Sequence, residues 1–352
     1  MNHKGKSVTT REAVDPSGVE TPFGQLMPEA VMDAIEAVGP RCDGRLMALN
    51  SFENRVYQIG IEDGGPERSS DSFLIAKFYR PGRWSDEAIQ EEHDFLAELV
   101  AGEIPAVPPI VLNGTTLHHH GAHRFALFER RGGRAPELDD DRVLERIGRF
   151  MGRLHRVGSS RSFKSRESVD IETFGDRPLA WLDQSNWIPP ELKAAWAAVT
   201  QLAMAGVRRA FERAQGIELI RLHGDCHAGN ILWTDAGPHF VDFDDSRTGP
   251  AIQDLWMLLS GDGTSQSRQL TQVLKGYQTF GRFDLRELHL IEALRTLRYV
   301  HYTAWIARRW EDPAFPAAFP WFGSVRDWQD RILALREQVG AMEEPRLEPL
   351  MD

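Results

Sequence analysis

The stretch His223-Gly224-Asp225-Cys226-His227-Ala228-Gly229-Asn230, with Asp242-Phe243-Asp244 after it, decides how this chain is read. A carboxylate and a carboxamide five residues apart, bracketed by glycines and leading into a strand-like run, converge from one tight loop. A second carboxylate arrives at the end of the next hairpin strand. Hard oxygen donors gathered in this way suit Mg2+ on nucleotide phosphates, and phosphoryl transfer needs one further carboxylate beside the attacking hydroxyl. In this reading Asp225 orients the hydroxyl and accepts its proton, while Asn230 and Asp242 take the metal. His223, Cys226 and His227 also invite zinc, but the glycines oppose the helix on which two histidines four apart would converge. His223 is therefore expected to order the loop, and Cys226 to pack.

Working outward, Glu218 to Asp244 holds the only short strand-like pieces of an otherwise helical second half: Leu219 to Leu222, Ile231 to Trp233 and His239 to Val241. Helical periodicity runs through Asp141 to Val157, Pro190 to Gln215, Ile252 to Ser260 and Asp284 to Trp310. Upstream, a short helix opens at Pro28 and stops at Gly39-Pro40. Strand-like runs follow at Arg55 to Ile61 and Phe73 to Tyr79, joined by a Gly, Ser and Asp-rich loop and read as an antiparallel pair. Ser85 to Val100 reads as an amphipathic helix with a Ser N-cap, burying Ile89, Phe95, Leu96, Leu99 and Val100. Two more strands are expected at Val107 to Leu112 and Arg124 to Glu129, around a solvated loop carrying His118, His119 and His120. At 100° per residue Glu92 falls within the apolar arc of Ile89, Phe95 and Leu96, whereas Glu91 points away. A carboxylate on that face is costly unless paired, and Lys77 on the adjoining strand is its natural partner.

Composition bounds the rest. The 352 residues amount to about two domains' worth of chain, and 41% apolar residues with 26% charged exclude a largely disordered or fibrous protein. A net charge of −11 disfavours sequence-independent attraction to nucleic acid or an anionic membrane. Cys42 and Cys226 offer no disulfide framework, and the polar residues Met1 to Arg11 lack a secretory h-region, so a cytoplasmic, monomeric protein is expected. Residues 1–22 read as a flexible tail, 23–130 as a nucleotide-binding lobe and 131–352 as a mostly helical lobe with the catalytic loop. The class is α+β: a bilobal fold with an antiparallel-sheet N-lobe and one long helix.

His-x-Asp-x4-Asn followed by Asp-Phe resembles the catalytic and metal loops of the protein kinase superfamily, and His-Gly-Asp-x-His-x2-Asn is closer to its aminoglycoside and choline kinase branch. Arg221 to Trp233 with Phe240 to Leu259 resembles more closely still the bacterial stress response kinase A (SrkA, or RdoA) family of Ser/Thr protein kinases, a likeness that extends through Asn50 to Tyr57, Lys77 to Trp84 and Arg309 to Trp321. The resemblance implies a two-lobed kinase using ATP and Mg2+ to phosphorylate Ser or Thr of protein substrates. Position by position it makes Asp225 the base, Asn230 and Asp242 the metal ligands, Lys77 the lysine on the nucleotide phosphates, Ser51 the nucleotide-loop serine, and Asp254 the aspartate that braces the catalytic loop. Adenine is expected against backbone groups near Phe128, Glu129 and Arg130.

The chain departs from that pattern in three places. Asn50 to Val56 stands where a Gly-x-Gly-x2-Gly loop would be. Asp244 replaces the glycine of Asp-Phe-Gly, as either a supplementary metal ligand or a surface charge. Asp254 follows Asp242 by twelve residues, which leaves no room for a long phosphorylatable activation segment. That brevity, the His-Gly-Asp form and an acidic balance suited to cationic acceptors favour an alternative, a small-molecule kinase of the aminoglycoside, choline or homoserine type. A non-catalytic nucleotide-binding scaffold is opposed by the presence of Lys77, Asp225, Asn230 and Asp242. His301, Tyr302, Trp305 and Trp310 lie on a helix where they could line an acceptor pocket but are read as packing against the C-terminal core, and Arg130, Arg131 and Arg134 as a solvated charge run.

Overall fold

Alternating side chains in Arg55–Ile61 and Phe73–Tyr79 give each strand one face for each of two helices, and the sheet forms around that pair. A computed structural model describes residues 22–62 and 72–350; the expected N-terminal tail and most of the polar loop between these two strands lie outside the described residues. Five antiparallel strands, β1 (Cys42–Leu49), β2 (Arg55–Ile61), β3 (Phe73–Tyr79), β4 (His118–His120) and β5 (His123–Glu129), lie in the order β1-β2-β3-β5-β4. Ile59, Ala76, Phe78, Phe125 and Leu127 turn to one face and pack on Val31 and Ile35 of α1 (Pro28–Glu36). Tyr79 and Ala126 turn to the other, against Ala88 and Ile89 of α2 (Asp86–Ala101). Lys77, in register with Val56 and Ala126, is on this second face.

Ser85 caps α2 by accepting a hydrogen bond from the Ala88 amide at 3.2 Å. The far half of α2 leaves the sheet: Phe95, Leu96 and Leu99 enter the large core of the helical part. One helix thus belongs to both cores. Val100, expected inside, is exposed.

The helical part comprises α3 (Asp141–Gly158), α4 (Arg177–Gln184), α5 (Lys193–Arg213), α6 (Ile252–Trp256), α7 (Gly263–Tyr277), α8 (Ile291–Arg308), α9 (Ala314–Ala318) and α10 (Val325–Glu343). Gly148 and Gly152 of α3 lie directly against the α7 backbone at Val273 and Tyr277, so that any Cβ there would collide with a carbonyl. Set into these helices are β6 (Ile220–Arg221) paired with β9 (Thr248–Gly249), and the hairpin β7 (Ile231–Thr234)–β8 (Gly237–Phe240).

Several expected elements differ. Val107 to Leu112 is no strand: Pro108 and Pro109 bring no amide donor, and only Ile110 donates to β5, at Leu127. The histidines read as a loop form β4 instead, with His118 buried beside Phe125. The helix expected from Pro190 begins as a 3-10 turn before α5, and the one expected from Asp284 begins as a 3-10 turn capped by Asp284, so that α8 starts only at Ile291. The expected helix ending at Ser260 stops at Trp256.

Glu287, in that 3-10 turn, accepts the Ile252 amide at 2.8 Å and so fixes the start of α6. Burial pushes its carboxyl up to about 7, the Ile252 amide opposing and Asp284 and Glu218 adding to the rise. The folded chain therefore keeps a proton that the unfolded chain releases above about 4.3. Its contribution to stability is full below that value and is lost as pH rises through about 7. Relative to wild type, Glu287→Gln should accordingly gain stability between about pH 5 and pH 8, by on the order of 2 kcal/mol. Paired melting curves read the difference, and one that stays flat across the range would contradict the assignment.

Candidate active site

An ammonium buried between a sheet and a helix needs opposite charge close by, and Lys77 has three carboxylates. Its Nζ lies 3.0 Å from Asp244, 3.3 Å from Glu92 and 3.4 Å from Asp242. Burial alone would lower its pKa, but Asp244 and Glu92 outweigh it and raise the ammonium well above its ordinary range. Glu92, 1% exposed, reaches Lys77 with one oxygen and Arg166 with the other, at 3.2 Å. Glu91 turns away from Lys77 and accepts the amides of Lys164, Ser165 and Arg166. Asp244 is not a surface charge: it is buried, bridges Lys77 and Arg83, and is held down to about 2 by Arg83 and Lys77 against the effect of burial.

Asp254 is wholly buried behind the 222–230 loop. Its two oxygens accept the amides of His223 at 2.9 Å and Gly224 at 2.8 Å, and His155 Nε2 lies 3.0 Å away. Gly224 has φ +87°, and a Cβ there would strike the Asp245 carbonyl, so only glycine fits. His223 donates from Nε2 to the Val241 carbonyl and accepts the Asp225 amide at Nδ1, which ties this loop to the end of β8. Cys226 points into the core beside Met151. Asp242 adopts a left-handed backbone, φ +60°, which aspartate tolerates better than most residues. Its side chain is 59% open to the cleft. The recessed position nevertheless raises its carboxyl, Asp244 adding to the rise and Lys77 opposing it.

Two cavities flank the loop. One, of about 450 Å3, is lined by Asn50, Ser51, Lys77, Phe128, Asn230 and Asp242 among others. Glu129 and Arg131 reach it as well, whereas Arg130 turns to Gln58 on β2. Asn230 spends its Nδ2 on the Asp225 carbonyl at 2.9 Å, leaving its amide oxygen as the remaining acceptor. The second cavity, of about 420 Å3, has Asp225 on its wall. Arg298 of α8 lies 2.7 Å from the Asp225 carboxylate, and His227 lies 3.5 Å from it. Although burial opposes it, these two groups hold that carboxyl below its usual range.

His301 and Tyr302 line this second cavity, a correction to their reading as core; Trp305 lines it too while packing on Phe315 of the C-terminal core, and Trp310 packs inward, on Trp187 and Phe322. Arg83, Arg166 and Arg298 were not legible as site residues, because their partners lie tens to more than a hundred residues away in sequence. The loop before β2 is pinned in a similar way: Asn54 accepts the Arg80 amide, and Arg55 and Arg80 both pair with Asp312, just past α8.

Residues 46–291 match the model of the phosphotransferase enzyme family. The chain belongs to that family. It is 44% identical over 326 residues to stress response kinase A of Salmonella choleraesuis (strain SC-B67), covering 93% of this chain and 96% of the relative. With the same coverage it is 43% identical to the serine/threonine protein kinase RdoA of Salmonella typhimurium (strain LT2). Among solved structures, the amicoumacin kinase hAmiN, in complex with AMP-PNP, Ca2+ and Ami, matches 91% of this chain and 95% of its own with a TM-score of 0.66. At 17% identity this is a likeness of fold. The bilobal kinase fold and the kinase class of this phosphotransferase therefore stand.

The Lys77 cluster sets a test by position. Glu92→Gln leaves Arg166 and Lys77 short of a buried counter-charge and should lower phosphotransfer more than about tenfold, with a fall in melting temperature. Glu91→Gln should change nucleotide affinity less than about threefold, since its loss falls on the 164–166 backbone. Calorimetric titration with nucleotide and initial rates on one acceptor separate the two; the reverse order would contradict the assignment.

Proposed function

We propose that this chain transfers the γ-phosphoryl group of ATP, with Mg2+, to Ser or Thr of protein substrates in a bacterial stress response. The observation that carries the reading is the placement of one loop between two cavities, with Asn230 facing the first and Asp225 the second. The names of relatives more than 40% identical over almost the whole chain support the acceptor class. In this reading residues 23–130 form the nucleotide-binding lobe and 131–352 the lobe that presents the acceptor.

The donor set fits Mg2+: the free amide oxygen of Asn230 and the open carboxylate of Asp242 are hard ligands facing one cavity. Mg2+ bound there with ATP supplies neutralisation of charge on the phosphates. The chain's own residues do the remainder. Lys77 holds phosphate oxygens, with Asn50 and Ser51 offering side-chain donors from above. The apolar walls at Val56, Ile75, Val107 and Leu232 enclose the base, next to the backbone of Phe128 and Glu129. Asp225 aligns the acceptor hydroxyl and takes its proton. A cationic small-molecule acceptor of the choline or aminoglycoside type loses support here, because the cavity beside Asp225 is rich in arginine despite the acidic balance of the chain.

Separating the two carboxylates tests the division of roles. Asp225→Asn should keep nucleotide affinity in the presence of Mg2+ while lowering transfer by roughly 10²- to 10⁴-fold. Asp242→Asn should weaken nucleotide binding as well. Equal losses of nucleotide affinity in calorimetry would overturn the roles.

A second test concerns regulation. Between Asp242 and α6 the only hydroxyls are Ser246, which is buried, and Thr248, whose backbone pairs with Arg221 in the β6–β9 ladder. The acceptor face is thus already formed, with no loop waiting for a phosphate to order it. Phosphatase-treated wild type and Ser246→Ala/Thr248→Ala protein should both stay within about tenfold of the untreated rate, roughly 1.4 kcal/mol in barrier. A larger loss in both would reveal a switch.

A further inference from the structure

In a chain of net charge −11, the cavity beside Asp225 is lined by five arginines, Arg83, Arg247, Arg298, Arg308 and Arg309. Each carboxylate on its wall is already engaged by one of them. Glu53 pairs with Arg309 at 2.7 Å, Glu167 with Arg247 at 3.3 Å, Asp225 with Arg298 at 2.7 Å and Asp245 with Arg83 at 2.5 Å. One arginine of the wall remains open to a ligand. Arg308 has no carboxylate within ion-pair distance among the described residues, and its guanidinium stands 5.0 Å over the ring of Trp181. Arg308 is exposed, so its guanidinium is open to a ligand that supplies acceptors at this end of the wall.

The cavity also has a direction. Arg298, His301, Tyr302, Trp305 and Arg308 follow one another at three- or four-residue intervals or as neighbours, and so share one side of α8. Tyr302 and Trp305 stack with ring centres 5.3 Å apart and planes within 16°. From Arg298, at Asp225, to Arg308 the helix advances about 15 Å. An extended chain covers that distance in about four or five residues.

We propose that the acceptor is an acidic protein segment: its hydroxyl sits beside Asp225 and Arg298, and a carboxylate about four or five residues away meets Arg308. Tyr302 and Trp305 lie beneath the residues between. The inference rests on the reading of this chain as a protein kinase and adds the charge of the segment it accepts.

The test uses the full chain with ATP and Mg2+ and one peptide in two forms, a single serine with glutamates four and five residues away on either side, or with lysines there. Serine-to-alanine versions report binding alone, by fluorescence anisotropy. The acidic form should bind at least about tenfold tighter and be phosphorylated with a correspondingly lower KM. Arg308→Glu should remove that preference and favour the lysine form, Arg308→Lys should retain most of it, and nucleotide affinity should report that both variants are folded. Peptides phosphorylated without a preference for acidic residues, or an Arg308→Glu variant that keeps the preference, would overturn this inference and leave the protein-kinase reading intact. Peptides that remain unlabelled while hydroxylated small molecules take up phosphate would overturn the protein-kinase reading and the inference with it.

Discussion

The buried ammonium of Lys77 is the interaction on which the site depends. Removing a charge from water costs several kcal/mol, and only opposite charges in good geometry offset it. Here the offset comes from three carboxylates on two separate pieces of chain: Glu92 on α2, and Asp242 and Asp244 after β8, with Arg166 and Arg83 holding the carboxylates from behind. The sheet, the long helix and the segment after β8 must therefore meet at one point for any of these charges to be satisfied. Such a cluster contributes more to position than to net stability, since breaking one pair leaves another buried charge alone.

A second brace works from below. Asp254 receives two amides of the 222–230 loop, Glu287 fixes the start of the helix that carries Asp254, and Gly224 permits the loop to lie on the Asp245 carbonyl. The loop over the cavity beside Lys77 is anchored at the far end of the chain, where Asp312 takes both Arg55 and Arg80 and Phe52 lies against Phe315 and Phe319. Residues from 51 to 312 converge on one cleft through contacts that are short in space and long in sequence.

That difference explains what could be read in advance. The tight loop at 223–230 was legible because it depends on short spacings, and the facing of Glu92 because helical phase is a local property; the α+β class followed from the change of periodicity near residue 130. The arginines of the second cavity were not legible. An aromatic stripe on α8 looks like core, and half of that helix is core, with Val300, Ala304 and Ala307 buried on the side away from the cavity. Neither was α7 assigned, a polar helix whose packing depends on glycines in α3, nor α10, which lies beyond the last periodic run considered. Val107 to Leu112 misled because an apolar run weighed more than the prolines within it.

The most direct measurement is the fate of phosphate in a mixed pool of acceptors. Purified protein incubated with γ-labelled ATP, Mg2+ and cell extract, then separated into macromolecular and small-molecule fractions with phosphoamino-acid analysis, should place the label on serine or threonine of proteins other than the kinase itself, and Asp225→Asn should lower it at least about a hundredfold. Label confined to the small-molecule fraction would contradict the account.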